Sequence, residues 1–167
     1  MTKKFLMLLV FLPTFMLGQY TIKGTFSPAK EYEWAILYKV TPTTSIYVQN
    51  KTMDETGKFT FVMDSTMTGG IYRIVYALPQ EEYNFDLIYN GQEDIELTFH
   101  KTDGVDYLAS NENQLFSSYM KSMDLVNQAI NNYYVKGGED EEAFLSIFKT
   151  LQETQDNFEK ASEGLLA

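Results

Sequence analysis

Apolar and polar side chains alternate along the chain from Tyr20 to Ala109, which is the pattern of half-buried β-strands. In one such run, Ile95, Leu97 and Phe99 are separated by polar residues. Turn-forming pairs such as Asn90–Gly91 separate the runs from one another. Short strands joined by turns, with no helical stretch between them, predict an antiparallel β-sandwich or open barrel of seven to eight strands over residues 19–109.

The same alternation identifies candidates for the core of this β domain. Large apolar side chains at every second position of a strand face the same side, and burying them contributes most of the stabilisation. We expect the core to include Trp34, Ile36, Phe59, Phe61, Ile74 and Leu97.

After Ala109 the spacing of apolar residues lengthens to three and four, which is the helical period. One stripe runs from Leu115 to Ile130 and a second from Phe144 to Phe158, with Gly137–Gly138 between them as a helix stop. This pattern predicts a two-helix hairpin over residues 110–167, and the fold class is therefore α+β. We expect the first stripe to cover one face of a sheet and the second to pack on the first helix.

The start of the first helix has a recognisable capping pattern. Asn111 is a good N-cap residue, and Gln114 follows three positions later, as in a capping box. The second helix begins with a run of acids from Glu139 to Glu142, which the positive end of a helix dipole favours. Both signals place the helix starts independently of the apolar stripes.

Residues 1–18 have the features of a signal peptide. Lys3 and Lys4 precede an apolar run over 5–17, and Gly18 offers a small residue for cleavage before Gln19. The run is shorter than the about 20 apolar residues that a membrane-spanning helix needs. We expect a protein exported to the periplasm or cell envelope, with no membrane attachment after cleavage.

Composition narrows the classes of function. The formal net charge of −10 disfavours binding to nucleic acid or to anionic lipid, both of which require basic side chains. The chain has no cysteine, so thiol chemistry, disulfides and cysteine-ligated metals are excluded. Twelve tyrosines, twelve phenylalanines and one tryptophan supply apolar area for a substantial core.

The sequence shows no convincing catalytic, cofactor-binding or metal-binding set. His100 is the single histidine, and it is expected at an exposed strand end. Carboxylates are plentiful, but a hydrolytic pair needs two of them about 5–10 Å apart across a cleft, which sequence does not define. We therefore expect no catalytic residue, no cofactor and no metal.

Two places are candidates for a ligand or partner surface. Tyr83 and Tyr89 lie at alternating positions of one strand, where an exposed aromatic row suits a sugar ring or a peptide. Phe158 and Leu165 lie near the end of the second helix, where few other apolar residues are available to cover them. A stand-alone binding module using exposed aromatics is the alternative to the interpretation given next, and a carboxylate-dependent hydrolase is the third.

The ordered series of strand segments resembles a known family. The segments are Ile22–Phe26, Ala35–Lys39, Gly57–Phe61, Gly70–Ile74, Phe85–Asn90, Glu93–Leu97 and Ser110–Phe116. Their order is similar to that of the uncharacterised β-rich N-terminal domain of TlpA/ResA-like proteins, which are exported thiol–disulfide oxidoreductases of Gram-negative bacteria.

The resemblance implies a non-catalytic accessory domain. In that family the Cys-x-x-Cys motif belongs to a later thioredoxin-like domain, so no catalytic residue is carried over to this chain. Residues 110–167 are then expected to lead toward such a domain, and the expected partner is a thioredoxin-like domain or another redox protein. The sequence leaves the oligomeric state open.

Overall fold

The computed structural model describes residues 19–166, and the signal peptide predicted over residues 1–18 lies outside them. Eight strands come first: β1 Tyr20–Ser27, β2 Trp34–Val40, β3 Ser45–Thr52, β4 Lys58–Met63, β5 Gly70–Val75, β6 Asn84–Tyr89, β7 Ile95–His100 and β8 Gly104–Ala109. Two helices follow: α1 Asn111–Val135 and α2 Glu141–Leu166. A short 3-10 turn, Ala29–Glu31, lies between β1 and β2.

The strands form two four-stranded sheets, which confirms the predicted α+β fold with a sandwich followed by a helical hairpin. One sheet has the order β4-β1-β7-β8 and the other β3-β2-β5-β6. The sheets do not close into a barrel, since β4, β8, β3 and β6 are their edges. One pairing differs from the antiparallel prediction: β1 and β7 run parallel, with Ile22 opposite Ile95.

The core lies between the two sheets and is rich in aromatic rings. Phe26 is at its centre, stacked on Phe99 with ring centroids 4.6 Å apart and meeting Tyr76 edge-on at 5.4 Å. Four of the predicted core residues are buried there: Phe59, Phe61, Ile74 and Leu97. Such offset and edge-to-face ring contacts stabilise a core beyond simple area burial.

The core assignment for β2 was wrong. Ala35 and Leu37 are fully buried, whereas Trp34 and Ile36 are half-buried on the outer face of the sheet. Both faces of this strand are apolar, so a period of two identifies two faces without showing which of them points inward. The largest side chain of the strand, Trp34, lies outside.

The two helices leave the sandwich at its edge. The first part of α1 contacts β8 and β6, and α2 packs along α1. The stripe of α1 therefore does not cover the open face of a sheet, contrary to the expectation from sequence. The second expectation is confirmed, since Tyr119 of α1 stacks on Phe158 of α2 with ring centroids 4.3 Å apart.

Candidate functional site

The helical hairpin, residues 111–166 and hereafter the arm, is much less buried than the sandwich. In α1 the buried residues are Asn113 and Val126. Along α2, no side chain from Glu141 to Leu165 is buried. The two helices are about 37 Å and 39 Å long at 1.5 Å per residue. Because each helix packs against only the other, burial is limited to one stripe along each.

One face of the arm is apolar, and it lies beside the stripe that joins the two helices. Residues four and seven apart on a helix share a face, and the apolar positions follow this spacing on both helices. We call this surface the apolar face; it consists of Phe116, Met120, Met123, Ile130, Tyr134, Phe144, Phe148 and Leu151. Phe144 and Phe148 remain 46% and 48% exposed, so both rings lose only about half of their contact with water.

The opposite face of the arm has small and polar residues. Its surface is formed mainly by Ser122, Ala129, Asn132, Ala143, Ser146 and Thr150. Leu125, 67% exposed, is the large apolar side chain on this side. The two faces of one hairpin therefore differ in chemistry, although both are open to solvent to a similar degree.

Acidic side chains border the apolar face. Glu141 precedes Phe144 by three residues and Glu159 follows Phe148 by eleven, so both carboxylates lie on the same side of α2 as these two rings. Acids outnumber lysines on the arm, and Lys149 and Lys160 lie on the outward side of α2. The apolar face is thus set in a negative surround.

A buried polar cluster connects the arm to the sandwich. The Asn113 side chain takes the place of a further strand beside β6: its Nδ2 donates to the Ile88 carbonyl at 2.7 Å, and its Oδ1 accepts from the Ile88 N–H at 2.8 Å. The Ser110 hydroxyl donates to Glu93 at 2.7 Å. Because these polar groups are buried and paired, the start of α1 is held in one position on the sheet edge.

The helix cap differs from the one predicted. Ser110, not Asn111, is the N-cap, and its hydroxyl accepts from the Asn113 N–H. Gln114 does not close a capping box; its amide donates to the Tyr107 and Leu108 carbonyls of β8. Ser110 also has a φ of 102°, an uncommon value for a residue other than glycine, and its buried bonds hold it there.

The two tyrosines predicted as a ligand surface are separated by burial. Tyr89 is 2% exposed and meets Tyr72 edge-on in the core, whereas Tyr83 is 40% exposed and lies directly before β6. They do not form an exposed row. Burial also raises the pKa of the Tyr72, Tyr76 and Tyr89 phenols, as expected for hydroxyls at the margin of a core.

The two residues predicted near the end of α2 have different surroundings. Phe158 faces α1 and is half-buried on Tyr119, while Leu165 remains 44% exposed. A larger exposed apolar surface lies around Phe144 and Phe148, near the turn that joins the two helices, and the sequence interpretation missed it. The available signal was the width of the stripe: the apolar residues of α2 span an arc of about 160° at 100° per residue, more than one neighbouring helix covers.

The described residues contain no arrangement typical of hydrolytic or metal chemistry. The buried polar residues are Ser110 and Asn113, so residues 19–166 hold no buried carboxylate pair. Over the same range no three acidic, histidine or cysteine side chains gather as a metal site would require. The backbone N–H groups of Lys58 and Thr56 donate hydrogen bonds to the Asp54 carboxylate and lower its pKa, and these bonds stabilise the turn before β4. His100 lies beside Thr102 and Asp103 at an exposed strand end, as predicted.

Two clefts of about 480 and 390 Å³ lie on the opposite face of the arm and are open to solvent. On the sandwich, the candidate for a small ligand is a cleft in the outer face. It has a volume of about 180 Å³ and is lined by Tyr38, Arg73 and Gln80, among others. Ligand sites usually exceed about 300 Å³. The Arg73 guanidinium is already held by both oxygens of Asp86, at 2.6 and 2.9 Å, so the cleft offers no free positive charge.

Comparison with known proteins gives distant structural similarity only. No protein-family model matches the sequence, and no curated protein matches it. Sea bream transthyretin in complex with thyroxine is 11% identical, with a TM-score of 0.39 over 55% of this chain and 96% of that one. (S)-allantoin synthase is 8% identical, with a TM-score of 0.40 over 56% of this chain and 44% of that one. Both similarities are too weak to carry an argument about function.

Within residues 19–166, neither α1 nor α2 is long and apolar enough to cross a membrane.

Proposed function

We propose that this protein is a non-catalytic module of the cell envelope whose arm binds a thioredoxin-like redox partner. The observation that carries the proposal is the apolar face of the arm, where large rings such as Phe144 and Phe148 stay half-exposed. Exposed apolar patches of this kind are typical of protein-binding surfaces. The partner class is proposed from the resemblance to the accessory domain of TlpA/ResA-like proteins, and the location from the signal peptide that the sequence predicts over residues 1–18.

The way the arm is mounted supports a positioning role. Asn113 and Ser110 fix the first turn of α1 to the edge of the sandwich through partly buried hydrogen bonds. The remainder of the arm extends away from that anchor, since its sandwich contacts are at β6 and β8. Because the start of α1 is fixed to the sandwich and the apolar face projects from it, a partner bound to that face is held at a set distance and orientation.

The proposal is tested by titrating ¹⁵N-labelled protein, residues 19–167, with a purified thioredoxin-like domain of a TlpA/ResA-like protein. We expect the perturbed amides to lie around Phe144 and Phe148. Phe148→Ser should weaken binding by about tenfold or more, as loss of an aromatic anchor does. The matched control is Leu125→Ser, which removes an exposed apolar side chain from the opposite face and should change the affinity less than twofold. Perturbations confined to the sandwich, or absent altogether, would contradict the proposal.

A further inference from the structure

Near its tip the apolar face is a groove between two antiparallel helices. A cavity of about 210 Å³ lies there, lined almost wholly by apolar side chains: Ile130, Tyr133, Tyr134, Phe144, Ile147, Phe148 and Leu151. Building on the proposed function, we infer that the segment which occupies this groove is a basic amphipathic α-helix of the partner. It lies along the arm and completes a three-helix bundle.

The shape of the apolar face fits a helix. Two packed helices leave a lengthwise groove on each side, and a third helix seats its ridge of side chains there at an axial distance of about 8–10 Å. From Phe116 to Tyr134 the face runs about 27 Å along α1, with the exposed amide of Asn127 as a polar position within it. A partner helix of about 18 residues matches this length.

The side chains of the apolar face also suit this mode of binding. Met120 and Met123 lie on the same face of α1 as Ile130, nearer the sandwich than the groove. Methionine is flexible and polarizable, so it adapts to the knobs of an incoming helix, while Phe144 and Phe148 offer fixed rings. Amphipathic helices bind such grooves through anchors at i, i+3 or i+4, and i+7.

Charge identifies the polar side of the incoming helix as basic. Glu141 and Glu159 border the apolar face on α2, and Asp124 lies toward the outer edge of the face on α1. A helix with lysine or arginine beside its apolar stripe places opposite charges against this rim, which speeds association and selects the partner. A second copy of this chain would place the acidic rim against itself, and such juxtaposition of like charges is unfavourable.

The experiment uses two fluorescent helical peptides of about 18 residues that share one leucine stripe. One peptide has lysine and arginine beside the stripe and the other has glutamate. Binding to the protein, residues 19–167, is followed by anisotropy. We expect the basic peptide to bind in a salt-dependent manner and the acidic peptide to bind at least about tenfold more weakly.

Two neighbouring substitutions distinguish the effect of the acidic side chains beside the apolar face from the effect of the protein's net charge. Glu141→Lys changes the rim, whereas Glu142→Lys makes the same change of charge on the outward side of α2. We expect Glu141→Lys to lower the affinity for the basic peptide by about threefold to tenfold and Glu142→Lys to change that affinity less than twofold. Equal effects of the two substitutions would overturn the inference, because they would reflect net charge alone.

The outcomes also separate this inference from the proposed function. If neither peptide binds, or if both bind equally, the basic-helix inference fails. Should the thioredoxin-like domain still perturb the apolar face in that case, the proposed function stands. Sedimentation of the free protein checks the remaining occupant: a dimer that Phe148→Ser dissociates would show that a second copy fills the groove, and would overturn the inference.

Discussion

The sandwich and the arm are built from similarly apolar segments, yet they bury them very differently. In the sandwich, two sheets face each other, so each inward side chain meets a partner layer and Phe26, Phe61 and Ile74 are almost completely buried. In the arm, two helices face each other along one stripe, and the rest of each apolar arc stays in water. The comparison shows that an apolar pattern identifies the side chains that favour burial. Whether they are buried within this chain depends on how many sheets or helices pack around them.

The largest expected difference between the regions comes from removing one aromatic ring from each. Phe61 is 0% exposed, and Phe61→Ala should lower the free energy of unfolding by about 3–5 kcal/mol through lost burial and a residual cavity. Phe148→Ala, on the apolar face, should cost less than about 1 kcal/mol. Urea unfolding of both variants measures this, and equal losses would break the distinction between a closed core and an open face.

The junction between the regions should give an intermediate effect. Asn113→Ala removes the buried bonds to the Ile88 N–H and carbonyl and should cost about 1–3 kcal/mol, because two backbone groups lose their partner. Hydrogen exchange should rise in the first turns of α1 and at β6, while β1 stays protected. The control is Asn127→Ala at an exposed position in the middle of α1, which should raise stability by no more than about 0.7 kcal/mol through helix propensity and leave exchange at β6 unchanged.

A smaller effect, specific to the sandwich, is expected at high pH. Burial, with a contribution from Asp86, raises the pKa of the Tyr107 phenol far above its ordinary value, and the hydroxyl donates to the Asp86 carbonyl at 3.2 Å. A raised folded-state pKa means that this contribution to stability is complete below the unfolded value of about 10 and is lost as the pH rises above it. Tyr107→Phe should therefore reduce the fall in stability above about pH 10, by up to about 1.4 kcal/mol per pH unit. Parallel stability curves for the two proteins between about pH 10 and 11 would contradict this.

The sequence predicted the sandwich well because its alternation is strong where one face is polar. In β7, Ile95, Leu97 and Phe99 alternate with polar residues and are all buried, Leu97 as predicted. It failed for β2, where both faces are apolar and Trp34 lies outside. The parallel pairing of β1 with β7 was not foreseen, because a pairing between strands far apart in sequence has no local signature.

The candidate site was predicted only in part, for a physical reason of its own. Helical spacing identified both stripes of the arm, but whether a stripe is buried depends on how many neighbours surround the helix. Phe158 found a partner in Tyr119, whereas Phe144 and Phe148, nearer the tip, did not become buried. Likewise Tyr89 was expected at a surface and lies in the core, because the alternation of β6 does not show how far the opposite sheet extends.

The central claim is that the arm leaves its apolar face exposed in the free protein, whereas the sandwich buries its apolar side chains within the chain. Native-state hydrogen exchange on residues 19–167 tests it directly, since local opening free energies can be compared along one chain. We predict that the amides of α2, including those from Gln155 to Leu165, exchange through local opening at a clearly lower free energy than the central amides of β1 and β7. Protection of α2 equal to that of the strands, in a protein that sediments as a single monomer, would contradict the account.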